Sequence, residues 1–133
     1  MKLSSLAWVP CGLVLALAMT GCGDDEPEVS VTYCEVKPIL DEKCRRCHGD
    51  PLANDAPVPL ATFDDIHAEY PEGTGDEAWQ LMEEMVSGGV MPPLPLKPTD
   101  GKGPVQPLTD DESSLLLEWL EAGAPRGEGC SAE

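Results

Sequence analysis

The chain has 133 residues, of which 25 are Asp or Glu and only eight are Lys or Arg, giving a formal net charge of −17. So acidic a surface argues against nucleic acid as a partner, because neutralising phosphates needs a basic face. It fits solubility better than electrostatic steering toward a basic protein. The length suits one small domain, and such a domain has a thin core that commonly needs a staple or a cofactor.

Met1-Lys2 precedes a mostly apolar run from Leu6 to Met19, followed by Thr20-Gly21-Cys22. A positive start, an apolar centre and small residues before a break mark a secretory signal. The run falls short of the ~20 residues that a spanning helix needs. Met19-Thr20-Gly21-Cys22 resembles a bacterial lipobox, in which the cysteine is lipidated and becomes the mature N-terminus. Residues 1–21 are therefore expected to be a lipoprotein-type signal peptide and Cys22 a lipidation site. Residues 22–32, acidic from Asp24-Asp25-Glu26 and holding Pro27, read as a tether. An ordinary signal with an incidental Cys22 is the plainer alternative. Lipidation implies an exported protein on the cell membrane or outer membrane, facing the periplasm, since more than one acyl chain anchors a protein firmly.

The folded domain is expected over residues 33–131. Val36, Ile39, Leu40, Cys44 and Cys47 follow helical spacing, which predicts a helix over Glu35–Cys47 with Pro38 in its first turn and Gly49 ending it. Its end carries Cys44-Arg45-Arg46-Cys47-His48. Cys-x-x-Cys-His is the pattern for covalent attachment of a c-type haem. Two thiols about one helical turn apart reach neighbouring edges of one macrocycle, and the next residue offers an imidazole to its face. The other readings are a thioredoxin-like thiol pair, which prefers a helix N-terminus after a strand, and a zinc site, which would need His67 as its fourth ligand. Neither has the surrounding pattern. Haem attachment takes place outside the cytoplasm, so the export signal and the pentapeptide support each other.

Downstream, Asp50–Leu60 carries Pro51, Pro57 and Pro59 and should be an irregular loop. A short helix is expected around Thr62–Tyr70, then a turn over Glu72–Asp76. Glu77–Ser87 reads as a helix with Trp79, Met82, Met85 and Val86 on one stripe, stopped by Gly88-Gly89. Six prolines between Pro92 and Pro107 predict an extended loop. Thr109-Asp110-Asp111-Glu112 is a capping box for the last helix, whose buried stripe is Leu115, Leu116, Trp119 and Leu120, with Gly123 at its C-terminus. No segment alternates like a strand, so the expected fold is all-α, three to five short helices with long loops around one haem.

Haem iron takes a second axial ligand, and the candidates are Met82, Met85, Met91 and His67. Met91 is favoured: it lies outside a helix in Gly88-Gly89-Val90-Met91-Pro92-Pro93, where glycines let backbone approach the macrocycle and Pro92 holds Met91 extended. Met82 and Met85 read as core filler on a helix stripe. His67 reads as a surface residue beside Asp65 and Glu69.

Cys44–Gly49, Met91-Pro92-Pro93 and Leu108–Pro125, with its Trp119-Leu120 and Gly123-Ala124-Pro125, together resemble the class I cytochrome c family. The resemblance covers most of residues 33–130. It implies first and last helices crossing beside the haem, Trp119 packed where they meet, His48 and Met91 as iron ligands, and one-electron transfer. If the helices cross so, the chain ends come together, and the two remaining cysteines, Cys34 and Cys130, would pair in an oxidising compartment.

The expected function is electron transfer by a lipid-anchored monohaem cytochrome, a carrier rather than an enzyme, with redox proteins as donor and acceptor and no small-molecule substrate. Two alternatives stand beside it: a haem-based small-ligand sensor or peroxidase-like enzyme with a displaceable sixth ligand, and a haem-free zinc or thiol protein. Asp110, Asp111 and Glu112 are better explained by the helix N-terminus than by catalysis.

Overall fold

The computed structural model describes residues 31–93, 96–98 and 100–131. The signal peptide, Cys22 and all of the tether up to residue 30 lie outside the described residues. What is described is all-helical. There is no strand among these residues, only an isolated bridge between Glu69 and Glu77.

Helix α1 (Tyr33–Ile39) runs through a π-turn (Leu40–Cys44) into α2 (Arg45–His48). It begins two residues before the expected Glu35, because the Thr32 N–H and hydroxyl both donate to the Glu35 carboxylate at 2.8 Å. Val31 is also buried. The packed domain thus reaches into what the sequence assigned to the tether. The earlier start places Pro38 inside α1 rather than in its first turn. With no N–H to give the Cys34 carbonyl, Pro38 interrupts the ladder. The chain then widens, and the Arg45 N–H reaches back to the Leu40 carbonyl. Single π-turns of this kind recur beside functional sites, and this one leads directly into the pentapeptide.

Gly49 does end this helical run, but in extended conformation (φ −83°, ψ −163°) rather than the left-handed one. Glycine is required there by crowding: a Cβ would stand 2.5 Å from the Arg45 carbonyl oxygen. The loop that follows folds back on the pentapeptide. Ala53 N–H donates to the Cys47 carbonyl (2.9 Å) and Leu60 N–H to the His48 carbonyl (2.7 Å).

Helix α3 (Phe63–Ile66) is capped by Thr62 and is shorter than the expected Thr62–Tyr70. Its continuation is diverted into the bridge region. There the Ala68 carbonyl accepts from Ala78 N–H (2.9 Å), and Tyr70 N–H donates to the Asp76 carbonyl (2.8 Å). Helix α4 (Ala78–Ser87) and helix α5 (Asp110–Glu121) stand where the periodicity put them. Thr109 Oγ1 accepts from Glu112 N–H, and Thr109 N–H donates to the Glu112 carboxylate, completing the predicted box.

Helix α5 packs on both α1 and α4. Tyr33, Val36, Leu40, Leu116, Trp119 and Leu120 are fully buried between them, and the Tyr33 and Trp119 rings lie 6.2 Å apart. Past α5, Gly123 N–H bonds the Leu120 carbonyl and Ala124 N–H the Trp119 carbonyl, a Schellman ending with Gly123 at φ +86°. The tail then crosses the start of α1, where Tyr33 N–H donates to the Arg126 carbonyl (3.1 Å). Cys34 and Cys130 are joined there, with Cα atoms 5.6 Å apart.

Candidate cofactor cavity

An apolar cavity of about 270 Å³ opens beside the pentapeptide. Cys44, Cys47 and His48 form one side, with Pro57 and Val58 from the following loop. Leu81, Met82 and Met85 of α4 and Leu116 of α5 form the floor between the helices. Met91-Pro92-Pro93, then Leu96, Val105 and Leu108, complete the wall. The fold therefore brings Cys44, Cys47, His48 and Met91 to one enclosure from two segments far apart in sequence.

His48 is oriented by backbone. Its Nδ1 lies 2.7 Å from the Val58 carbonyl oxygen, which can only accept, so Nδ1 donates and Nε2 is the nitrogen left for a metal. An imidazole fixed in this way by its second nitrogen is prepared as a metal ligand. Cys44 and Cys47 are both free thiols. Burial pushes the Cys44 thiol up to about 12, outweighing the favourable field of Arg45. A thiol held neutral is the reverse of the acidified cysteine that thioredoxin-like exchange requires. Asn54 Nδ2 donates to Cys47 Sγ at 3.5 Å, a weak contact available to a thiol or a thioether alike.

Met91 stands immediately beyond a second Schellman ending. Gly89 N–H bonds the Val86 carbonyl, and both Val90 N–H and Met91 N–H bond the Met85 carbonyl, at 2.9 and 3.1 Å. Gly89 has φ +66° with nothing within 4 Å of the place a Cβ would occupy. Its duty in the fold is therefore to turn the chain out of α4. Met82 and Met85 share the cavity with Met91, so all three methionines line one cavity, and Met82 also belongs to the core.

His67 is elsewhere. Its Nδ1 is 2.8 Å from Glu77 Oε2 and its Nε2 2.9 Å from the Ala124 carbonyl, and Trp79 Nε1 donates to the same Glu77 oxygen. It is half-buried rather than a loose surface residue beside Asp65 and Glu69: it ties α3 and α4 to the turn after α5. With both nitrogens engaged it cannot complete a zinc shell with Cys44, Cys47 and His48. Among the described residues no group of three or more His, Cys, Asp or Glu side chains is arranged to hold a metal ion.

The sequence reading passed over Arg45 and Arg46. Arg45 donates to the Leu60 carbonyl (2.7 Å), to Asp41 (2.6 Å) and to the Tyr33 hydroxyl (2.5 Å), fastening the loop after the pentapeptide to α1. Their signal was present: two adjacent cations in so acidic a chain. The Val58 carbonyl left no signal, because any residue supplies a backbone acceptor. Lys43, also on the cavity wall and buried, pairs with Glu42 (3.1 Å) and, more loosely, with Glu112 at the start of α5 (3.7 Å). No protein family matches the chain, and neither a curated protein nor a solved structure matches it.

Proposed function

We propose that this protein is an electron carrier: a lipid-anchored, monohaem c-type cytochrome with the helical architecture of the class I family. The observation that carries the reading is the convergence of Cys44, Cys47, His48 and Met91 on one apolar cavity, with His48 already held by its second nitrogen. The chemistry of this donor set fits a covalent haem. Cys44 and Cys47 could form thioethers, His48 and Met91 could ligate the iron, and the apolar walls could enclose a flat, largely apolar group.

When bound, haem supplies an iron that gains and loses one electron. The chain supplies everything that makes the exchange reversible. Cys44 and Cys47 hold the group in place, and the Val58 carbonyl keeps the His48 ring from turning. Leu81, Leu96, Val105 and Leu116 keep water away. Met82 and Met85 add polarizable, uncharged surface. Ligation by Met91 in a cavity lined mainly by neutral groups would favour the reduced state and hence a fairly positive potential. The packing of α1 against α5 through Tyr33 and Trp119 supports the family architecture. Export and attachment through Cys22 rest on the signal sequence. They put the carrier at a membrane surface facing the periplasm, where redox proteins are its donor and acceptor and nucleic acid has no part.

Expression with a cytochrome maturation system, followed by mass measurement and absorption spectroscopy, tests the proposal. A covalent haem adduct with spectra of a six-coordinate iron is expected. A matured protein carrying zinc or nothing at Cys44 and Cys47 would refute it, and carbon monoxide binding at neutral pH without denaturant would favour the ligand-sensing alternative.

A further inference from the structure

Between the two cysteines, Arg46 reaches to a segment more than fifty positions away. Its Nε and Nη2 fork onto the two carboxylate oxygens of Asp100 at 2.8 and 2.9 Å, and Nη2 also donates to the Gly103 carbonyl at 2.5 Å. Only 8% of the Arg46 side chain meets solvent. Asp100 accepts in turn from Lys102 N–H (3.0 Å), and Val105 N–H donates to the Leu96 carbonyl (3.0 Å). Leu96 and Val105, on either side of Asp100 and Gly103, both line the cavity, and Val105 is buried. No helix ladder secures this wall. Its described tertiary hydrogen bonds run to one side chain, and that side chain belongs to the pentapeptide.

We propose that Arg46 is a positioning residue: it braces the wall formed by Leu96 and Val105 against the cysteine pair and thereby denies small molecules access to the Met91 side of the cavity. The proposal rests on the carrier reading and adds to it the means by which a cavity of this kind stays closed to exogenous ligands. The planar guanidinium matters as well as its charge. A fork onto a carboxylate fixes direction, which a lysine ammonium cannot do.

The test uses matured, ferric protein and the variants R46A, R46K and D100N. Two quantities are read at neutral pH: the rate of cyanide binding by absorbance, and hydrogen exchange at the Val105 amide. R46A and D100N are expected to take up cyanide about tenfold faster or more, with faster exchange at Val105, while R46K recovers only part of the difference. Unchanged rates and exchange in D100N, which removes the charge and one arm of the fork without touching the pentapeptide, overturn the brace, as does R46K indistinguishable from wild type. If R46A does not mature, D100N alone decides. Wild-type protein lacking covalent haem overturns the carrier reading and the brace together, whereas haem-bearing variants with wild-type rates overturn the brace alone.

Discussion

The side chains around the cavity divide into those that would touch a cofactor and those that hold the first group still. His48 is useful because Val58 commits its other nitrogen, and Cys44 because burial keeps its thiol neutral. Outside the cavity, carboxylates set the response to acid. The Thr32 hydroxyl beside Glu35, the Thr109 N–H beside Glu112 and the Arg46 guanidinium beside Asp100 each hold their carboxyl below the usual carboxylate range. A depressed folded-state pKa adds stability that is fully present above the unfolded value, near 4, and is lost as pH falls through the lower folded one. Urea unfolding should therefore be insensitive to these groups from neutrality down to about pH 5 and weaken progressively below it. Stability that rose on acidification through that window would contradict the assignment. Cys44, Cys47 and His48 are marked in the sequence by the pattern for haem attachment and Met91 by its Gly- and Pro-flanked loop, and the fold brings the four to one cavity. Arg46 is not so marked, because its partner is brought near only by folding.

Helices were legible in proportion to their length and punctuation. α5 carries a capping box, a clean apolar stripe and a terminal glycine, and it stands where the pattern put it. α3 has one turn and no terminal signal, so its early end depends on the bridge between Glu69 and Glu77. The π-turn before the pentapeptide was invisible, since a widened turn keeps the same apolar residues. The glycines before Met91 point to close approach of a macrocycle, and in the fold Gly89 also turns the chain at φ +66°. Gly89→Ala would force an L-residue into that region at a cost of about 1–2 kcal/mol and move Met91, which follows it by two positions. A lower unfolding midpoint with a perturbed haem spectrum is expected. A variant as stable as wild type with an unaltered spectrum would show that the Schellman ending does not fix Met91.

At the scale of the molecule, the chain ends close on each other. α1 and α5 meet at Tyr33 and Trp119, the tail crosses Thr32 so closely that a Cβ on Gly127 would overlap it, and Cys34–Cys130 seals the crossing over a separation of 96 residues. This pairing was anticipated only through the family resemblance, since no local pattern reports that two ends meet. Replacing both cysteines with serine should cost about 2–5 kcal/mol, because so long a loop is released in the unfolded chain. Thermal unfolding under matched conditions reads it, and an unchanged midpoint would show that packing alone closes the ends. The thin helical core, the apolar cavity at its side and the acidic exterior together suit the proposed scaffold around a covalently held haem.

Potentiometric titration of the matured protein with optical detection, beside its Met91→Ala variant, tests the central claim most directly. Wild type should titrate as a single one-electron couple at fairly positive potential, and the variant should lose the sulfur-to-iron absorption and shift to lower potential. A Met91→Ala protein with the wild-type spectrum and potential would contradict His48/Met91 ligation.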